Sequence, residues 1–157
     1  MIYSNYQRNH VILPGSEQAL YDFLDATLVR NGQEQKHKWR PAISSNSEDA
    51  LTWSCFDVLR NQSAQKIAVA LNEIFEDAFG DFGNRPIPPP FSFADEQNIE
   101  IHIGKNYYAV SVAEDTEVDT SIETAEKLIF FEAKLYSKIS LPDQTTLYDQ
   151  IILKFAV

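Results

Sequence analysis

The sequence predicts a single α+β domain in which helices pack on a mostly antiparallel, four-stranded sheet. Apolar residues recur at helical spacing within residues 1–85 and alternate with polar residues within 95–157, and a proline-rich run at 86–90 separates the two halves. A length of 157 residues is typical of one domain. We therefore expect a mainly helical part, 1–85, followed in 95–157 by the sheet and a short final helix.

Three helices are predicted in the first half. The first spans residues 17–29, with Ser16 as its N-cap. The second spans 48–60 behind the N-cap Ser47, and its first turn is acidic, which suits the helix dipole. The third spans about 64–79.

The apolar stripe of the second predicted helix is Leu51, Cys55, Val58 and Leu59. We therefore expect Cys55 to be a packed thiol rather than a nucleophile. A single cysteine excludes an internal disulfide and a cysteine-rich zinc site, and it suits the reducing cytoplasm. No apolar run approaches the roughly 18 residues of a membrane helix, so no membrane partner is expected.

Residues 31–46 are predicted to be a loop, and they contain the most basic stretch of the chain. Two interpretations of this stretch stay open. Lys36, Lys38 and Arg40 could meet a phosphate backbone while Trp39 stacks on a base. Alternatively the loop is solvated and Trp39 docks on the core, which is the interpretation we favour.

The second half is predicted to hold four strands and a last helix. Turn-forming residues at 104–106 separate the first two strands. The helix is expected in 142–153. The predicted strands are 99–103, 107–112, 117–124 and 128–135.

The last two predicted strands should form a hairpin closed at residues 125–126. Counting outward from this loop, Ile122 meets Ile129 and Thr120 meets Phe131. These pairs create one mostly apolar face, and a slip of one residue would destroy it.

The opposite face of this hairpin places Asp119 across from Glu132 and Glu117 across from Lys134. Two carboxylates at facing positions repel each other unless a cation lies between them, and Mg²⁺ prefers oxygen ligands. A metal-bound water attacks esters and phosphodiesters more readily than bulk water does. Lys134 could offset the charge of the transition state or hold the water, and Glu117 is a supporting acid.

This hairpin resembles the motif of the PD-(D/E)XK nuclease superfamily. The resemblance implies a restriction-endonuclease-like core, Mg²⁺ or Mn²⁺ as the cofactor, and DNA as the substrate. By position, Asp119 matches the first acid, and Glu132-Ala133-Lys134 matches the second acid, the residue whose carbonyl binds metal, and the lysine. Val118 stands where the family name has proline.

The resemblance also implies groups outside the hairpin. Family members carry an acid on a helix before the sheet, for which Glu48 is the candidate and Asp49 the second choice. Many members place a glutamine on the helix after the lysine strand, and Gln144 and Gln150 both fit. The family core normally continues into another strand after the last helix, so three interpretations stay open: a short member of the family, a chain truncated at its C-terminus, or a degenerate copy.

Function is therefore expected to be Mg²⁺-dependent phosphodiester hydrolysis on DNA in the cytoplasm. The formal net charge of −10 argues against a protein that coats nucleic acid, so we expect weak DNA binding without the cation or a partner. A homodimer would supply two sites for cutting a duplex. The alternatives are a catalytically inactive nuclease-like domain that binds a protein partner, and an unrelated acidic interaction module.

Overall fold

The computed structural model describes residues 1–30, 33–80, 88–89, 91–109 and 114–133. Within these ranges, three helices precede a three-stranded antiparallel sheet, so the predicted α+β class is confirmed. The elements in chain order are a 3-10 turn (Tyr6–Asn9), α1 (Glu17–Asp25), β1 (Leu28–Arg30), β2 (Gln33–Gln35), a second 3-10 turn (Pro41–Ile43), α2 (Glu48–Arg60), α3 (Ala64–Gly80), β3 (Glu100–Ala109), β4 (Glu114–Glu123) and β5 (Leu128–Phe131).

Helix α1 is shorter than predicted, because it ends at Asp25 rather than near residue 29. The backbone becomes extended at Ala26, and β1 then pairs with β2 in a small antiparallel hairpin where a loop was predicted. The β-branched residues Thr27 and Val29 favour this extended backbone over a continued helix.

The predicted bounds of α2 are confirmed, and the hydroxyl of Ser47 caps the helix by accepting from the Ala50 N–H at 3.1 Å. The predicted apolar stripe is confirmed at Leu59, which packs against the core, and is wrong at its other three positions, so the expected packing of the Cys55 thiol is wrong too. Leu51, Cys55 and Val58 are exposed, whereas Ala50, Thr52, Trp53 and Asp57 are buried. The helix is turned so that the indole of Trp53, the largest of its buried side chains, packs on the ring of Phe23 with centroids 5.2 Å apart.

The large sheet has the order β3-β4-β5. The prediction of four strands is wrong for the described residues, since 99–103 and the start of 107–112 belong to one continuous strand, β3. The predicted turn at Gly104 is a bend within that strand, where the glycine has a φ of +66°. The expected helix at 142–153 lies outside the described residues.

Two apolar clusters hold the helices on the sheet. In the first cluster, α3 and the segment before β3 pack on the sheet, with Leu71, Phe93 and Ile122 at the centre. In the second cluster, α1 packs on α2, with Leu20 and Trp53 at the centre. Together they keep α2 against β3 and β4. None of the described helices combines the length and the apolar run needed to cross a lipid bilayer.

Of Gly15 and Gly104, the two glycines whose surroundings the structure describes, Gly104 should be the less tolerant of substitution. Its φ of +66° disfavours any side chain, and a Cβ there would lie 2.8 Å from Cε2 of the buried Phe23. We expect Gly104→Ala to lower the free energy of unfolding by about 2–4 kcal/mol, from backbone strain and overpacking together. Urea unfolding measures this loss.

Gly15→Ala is the matched control for this prediction. Gly15 also has a positive φ, of +92°, but a Cβ there would meet nothing within 4 Å. The control should lose only the strain contribution, about 1–2 kcal/mol. Equal losses in the two variants would contradict the packing of Gly104 on Phe23.

Candidate functional site

The hairpin of β4 and β5 brings Asp119 next to Glu132 and Ala133. The predicted register is confirmed, with Ile122 paired to Ile129 and the last pair formed by Thr120 and Phe131. Directly beyond that pair, the backbone N–H of Ala133 donates to Oδ2 of Asp119 at 2.8 Å. The acid on β4 therefore lies beside the peptide that links Glu132 to Ala133.

The exposure of these residues suits a site on the sheet surface. Val118 and Thr120, on either side of Asp119 in β4, are fully buried, whereas Asp119 is partly exposed. Alternation along a strand turns Asp119 away from the face that its two neighbours bury. Glu132, just past the end of β5, is exposed.

These residues offer the ligand chemistry that Mg²⁺ takes. Asp119 and Glu132 supply carboxylate oxygens, and the carbonyl of Ala133 is a third hard donor. The described residues contain no group of three or more His, Cys, Asp or Glu side chains that could hold a metal ion. Glu48 therefore does not complete a ready-made cage with the two hairpin acids. Mg²⁺ is commonly held by one or two carboxylates together with waters and substrate phosphate. The two carboxylates of Asp119 and Glu132 are therefore compatible with Mg²⁺ binding.

Helix α2 presents its acidic first turn toward the same part of the sheet. Glu48 lies there, partly buried, just after the Ser47 cap. Its neighbour Asp49 has Oδ1 at 3.5 Å from Nζ of Lys38. The same ammonium donates to Oε1 of Glu117 on β4. Lys38 thus links the start of α2 to the strand that carries the first hairpin acid.

Lys38 is the clearest correction to the predicted nucleic-acid surface. Only 1% of its side chain is exposed, and Nζ lies 4.3 Å from the centre of the Phe23 ring. A buried, paired ammonium cannot meet a phosphate backbone. Glu117, predicted as a supporting acid, is the hydrogen-bond partner of this lysine.

Trp39 docks on the core, as the favoured interpretation predicted. Its Nε1 donates to Oδ1 of Asp25 at 3.2 Å, and its ring contacts the edges of Tyr6 and Tyr21 with centroids 5.4 and 5.5 Å away. The alternative prediction, in which Trp39 stacks on a nucleic-acid base, is therefore wrong. Lys36 is exposed and pairs with Asp25 at 2.6 Å; hydrogen bonds from Lys36 and then from Trp39 lower the pKa of that carboxyl.

The remaining predicted residues fall in two groups. Arg40 is exposed and keeps its place as a candidate contact for nucleic acid. Lys134, Gln144 and Gln150 lie outside the described residues, so their predicted roles stay predictions.

A polar network on β3 and β4 was missed by sequence reasoning. The hydroxyl of Tyr107 donates to Glu123 and accepts from the hydroxyl of Ser121, with the two oxygens of Tyr107 and Ser121 2.5 Å apart, and Lys105 Nζ donates to Oε1 of Glu123 at 2.5 Å. Burial would raise the pKa of Glu123, but the hydrogen bonds from Lys105 and Tyr107 outweigh it and lower that pKa. His102 Nε2 lies 3.5 Å from Glu123. The sequence did not indicate this network, because the turn predicted at 104–106 placed His102 and Tyr107 on two different strands, whereas both lie on β3.

A cavity of about 530 Å³ opens between the start of α1, the end of α2 and the start of β3. Asp57, which lines it, is fully buried, and its Oδ1 accepts from Nε of Arg60 at 2.9 Å. The i, i+3 spacing of these two residues in a predicted helix was the available signal for their pairing. Asp57 lies nine positions after Glu48 in α2, about 14 Å along the helix axis. None of the residues that line the cavity belongs to β4 or β5, so the cavity is distinct from the hairpin.

Tyr107 should make the fold sensitive to alkali. Burial, aided by the hydrogen bond to Glu123, raises the pKa of Tyr107 to about 12, above its ordinary value of 10.0. The unfolded chain therefore loses this proton first, so stability is fully present below about pH 10 and falls as the pH rises toward 12. We expect Tyr107→Phe to lose less stability than the wild type across this window, as measured by urea unfolding at fixed pH values. Parallel losses in the two proteins would contradict the shifted pKa.

Comparisons of the chain with protein-family models, with characterised proteins and with solved structures find no match. The hairpin and the groups around it are therefore what a functional assignment depends on.

Proposed function

We propose that the chain is a metal-dependent nuclease that hydrolyses phosphodiester bonds of DNA. The observation that supports this best is the hydrogen bond from Ala133 N to Asp119 Oδ2, at 2.8 Å, which holds the first acid beside the Glu132–Ala133 peptide. This is the juxtaposition that the PD-(D/E)XK motif requires. A restriction-endonuclease-like core is part of the same proposal.

Each residue of the proposed site has a separate task. The carboxylates of Asp119 and Glu132 and the carbonyl of Ala133 hold Mg²⁺ or Mn²⁺, and Glu48 supports them from α2. When bound, the ion would act as a Lewis acid and would lower the pKa of water. Lys134 orients the attacking water and offsets negative charge in the transition state. The water oxygen bonds to phosphorus as the bond from phosphorus to the leaving sugar oxygen breaks, and the products are a phosphate monoester and a hydroxyl.

The net charge of the chain affects how strongly it binds DNA. With a formal net charge of −10, the chain repels the phosphate backbone of DNA unless a cation intervenes. We therefore propose weak DNA binding that strengthens with the divalent ion. A homodimer in the cytoplasm would supply the two sites needed to cut both strands of a duplex.

A second candidate function is a nuclease-like domain without activity that binds a protein partner. One observation favours it: the described residues contain no group of three or more His, Cys, Asp or Glu side chains that could hold an ion. Such a domain would keep the same hairpin but would cut nothing.

A plasmid-relaxation assay separates the two candidates. With Mg²⁺ or Mn²⁺, we expect the wild type to nick supercoiled plasmid, and Asp119→Asn and Lys134→Ala to nick it at least about 100-fold more slowly, because each removes a group from the reacting centre. Chelation by EDTA should abolish nicking.

Glu126→Gln is the matched control, since Glu126 is an exposed acid in the loop of the same hairpin. It should cut like the wild type. Equal nicking by Asp119→Asn and Glu126→Gln would reveal a contaminating nuclease and contradict the proposal. Absence of nicking by the wild type with either metal would favour the inactive domain.

A further inference from the structure

The cavity between α1, α2 and β3 contains a buried carboxylate with one unpartnered oxygen. Asp57 forms part of the cavity wall, and its side chain is fully buried. Its Oδ1 accepts from Nε of Arg60 at 2.9 Å and lies 2.7 Å from Nη2 of the same residue. Its Oδ2 has no hydrogen-bond partner among the described residues. Because a buried carboxylate oxygen without a hydrogen bond is costly, Oδ2 favours a ligand that donates to it.

The charged side chains of the wall favour a cation as this ligand. They comprise two carboxylates, Asp57 and Glu100, and one guanidinium, Arg60, so the formal charge of the wall is −1 when His102 is neutral. Glu100 is the more exposed of the two acids and lies 3.3 Å from Nε2 of His102. Asp57 is therefore the acid at which a buried positive group is missing.

The two helix ends at the cavity are consistent with a cation. Helix α2 ends at Arg60, and both Arg60 and Asn61 belong to the cavity wall. The carbonyl end of a helix carries a partial negative charge, which stabilises a nearby cation. The start of α1 also borders the cavity, but its partial positive charge is offset by Glu17, whose carboxylate accepts from the Gly15 N–H at 2.9 Å.

A primary ammonium group fits this arrangement better than a planar guanidinium. Arg60 occupies Oδ1, so Asp57 offers a single oxygen, whereas a guanidinium binds best to both oxygens of one carboxylate. Asn61 Nδ2 donates to the backbone carbonyl of Asp57 at 2.7 Å, which leaves the Asn61 amide oxygen as a further acceptor. Ile99 and Ile101 add apolar surface to the wall, against which an alkyl chain can pack.

We propose that this cavity binds a small organic cation that carries a primary ammonium group on an alkyl body. The ammonium donates to Asp57 Oδ2, and the alkyl part packs on Ile99 and Ile101. A volume of about 530 Å³ lies within the range of small-molecule sites. The site is independent of the proposed nuclease function, because none of its residues belongs to β4 or β5.

Titration of n-butylamine into the ¹⁵N-labelled full chain tests this site. The titration is followed by amide chemical shifts at pH 7, where the amine is protonated, in about 100 mM NaCl, which screens unspecific attraction to the acidic chain. We expect saturable shifts of the Ala19, Asn61 and Ile101 amides with one Kd of about 0.1–10 mM, since the ligand has few atoms. 1-Butanol lacks the charge and tetramethylammonium lacks an N–H donor, so each should bind at least about tenfold more weakly.

Asp57→Asn removes the proposed acceptor with little change of shape. The amide keeps an oxygen for Arg60 but places an NH₂ group where Oδ2 was, so the affinity for n-butylamine should fall at least about tenfold. Glu126→Gln is the matched control, because it removes one negative charge from an exposed loop outside the cavity. It should bind like the wild type.

Ala19→Leu tests the cavity without touching the carboxylate. Ala19 lines the cavity but is exposed on α1, and leucine is a good helix former, so the variant should fold while its larger side chain fills the site. We expect its affinity for n-butylamine to fall at least about tenfold, as the ligand loses its space. Ala78→Leu, the same change at an exposed position of α3 outside the cavity, should bind like the wild type.

The outcomes that would overturn the proposed site are specific. They are the absence of saturable shifts at the cavity, equal binding of n-butylamine and either control ligand, or unchanged affinity in Asp57→Asn or Ala19→Leu. If Asp57→Asn does not fold, Ala19→Leu and the three ligands still decide. A wild type that cuts no DNA would remove the proposed function and leave the n-butylamine result standing.

Discussion

The buried ammonium of Lys38, in the segment before α2, connects the first turn of α2 at Asp49 to β4 at Glu117, which lies 79 positions further along the chain. An unpaired buried charge costs several kcal/mol, so the Lys38 ammonium is held close to these carboxylates. The strand β3 is part of the same arrangement, because the absence of a side chain at Gly104 leaves space for the ring of Phe23, on which the Lys38 ammonium packs. One electrostatic contact thus fixes the helix on the sheet at a defined place.

The proposed metal centre depends on this contact and on a second, local one. Asp119 follows Glu117 by two positions on β4, and Glu48 precedes Asp49 in α2, so the Lys38 contact sets where these two acids stand. The hydrogen bond from the Ala133 N–H to Asp119 then fixes the position of Asp119 relative to the residues that follow β5. The hairpin is short in sequence and forms the two-acid set by itself. The helix acid, in contrast, is placed by contacts between residues far apart in the chain.

This division explains which features the sequence could predict. The register of β4 and β5 was accessible because the apolar alternation around Ile122 and the short loop specify the same pairing. The bend at Gly104 was not, since a glycine followed by lysine and asparagine also suits a turn, and only the approach of Phe23 distinguishes the two. Which face of α2 is buried depends on the packing of Trp53 against Phe23, a residue of another helix, and the local sequence pattern does not reveal this contact. The burial of Lys38 depends on two acids that lie on other elements, which no local pattern reveals.

Direct measurement of metal binding tests the central claim, that Asp119 and Glu132 together form a divalent-metal site. Titration of Mn²⁺ into the full chain, followed by electron paramagnetic resonance of the free ion, gives both stoichiometry and affinity. The account predicts one bound ion per chain, with affinity at least about tenfold lower in Asp119→Asn and in Glu132→Gln, since each removes one carboxylate from the set. Glu126→Gln should bind like the wild type. No binding by the wild type, or equal binding by Asp119→Asn and Glu126→Gln, would contradict it.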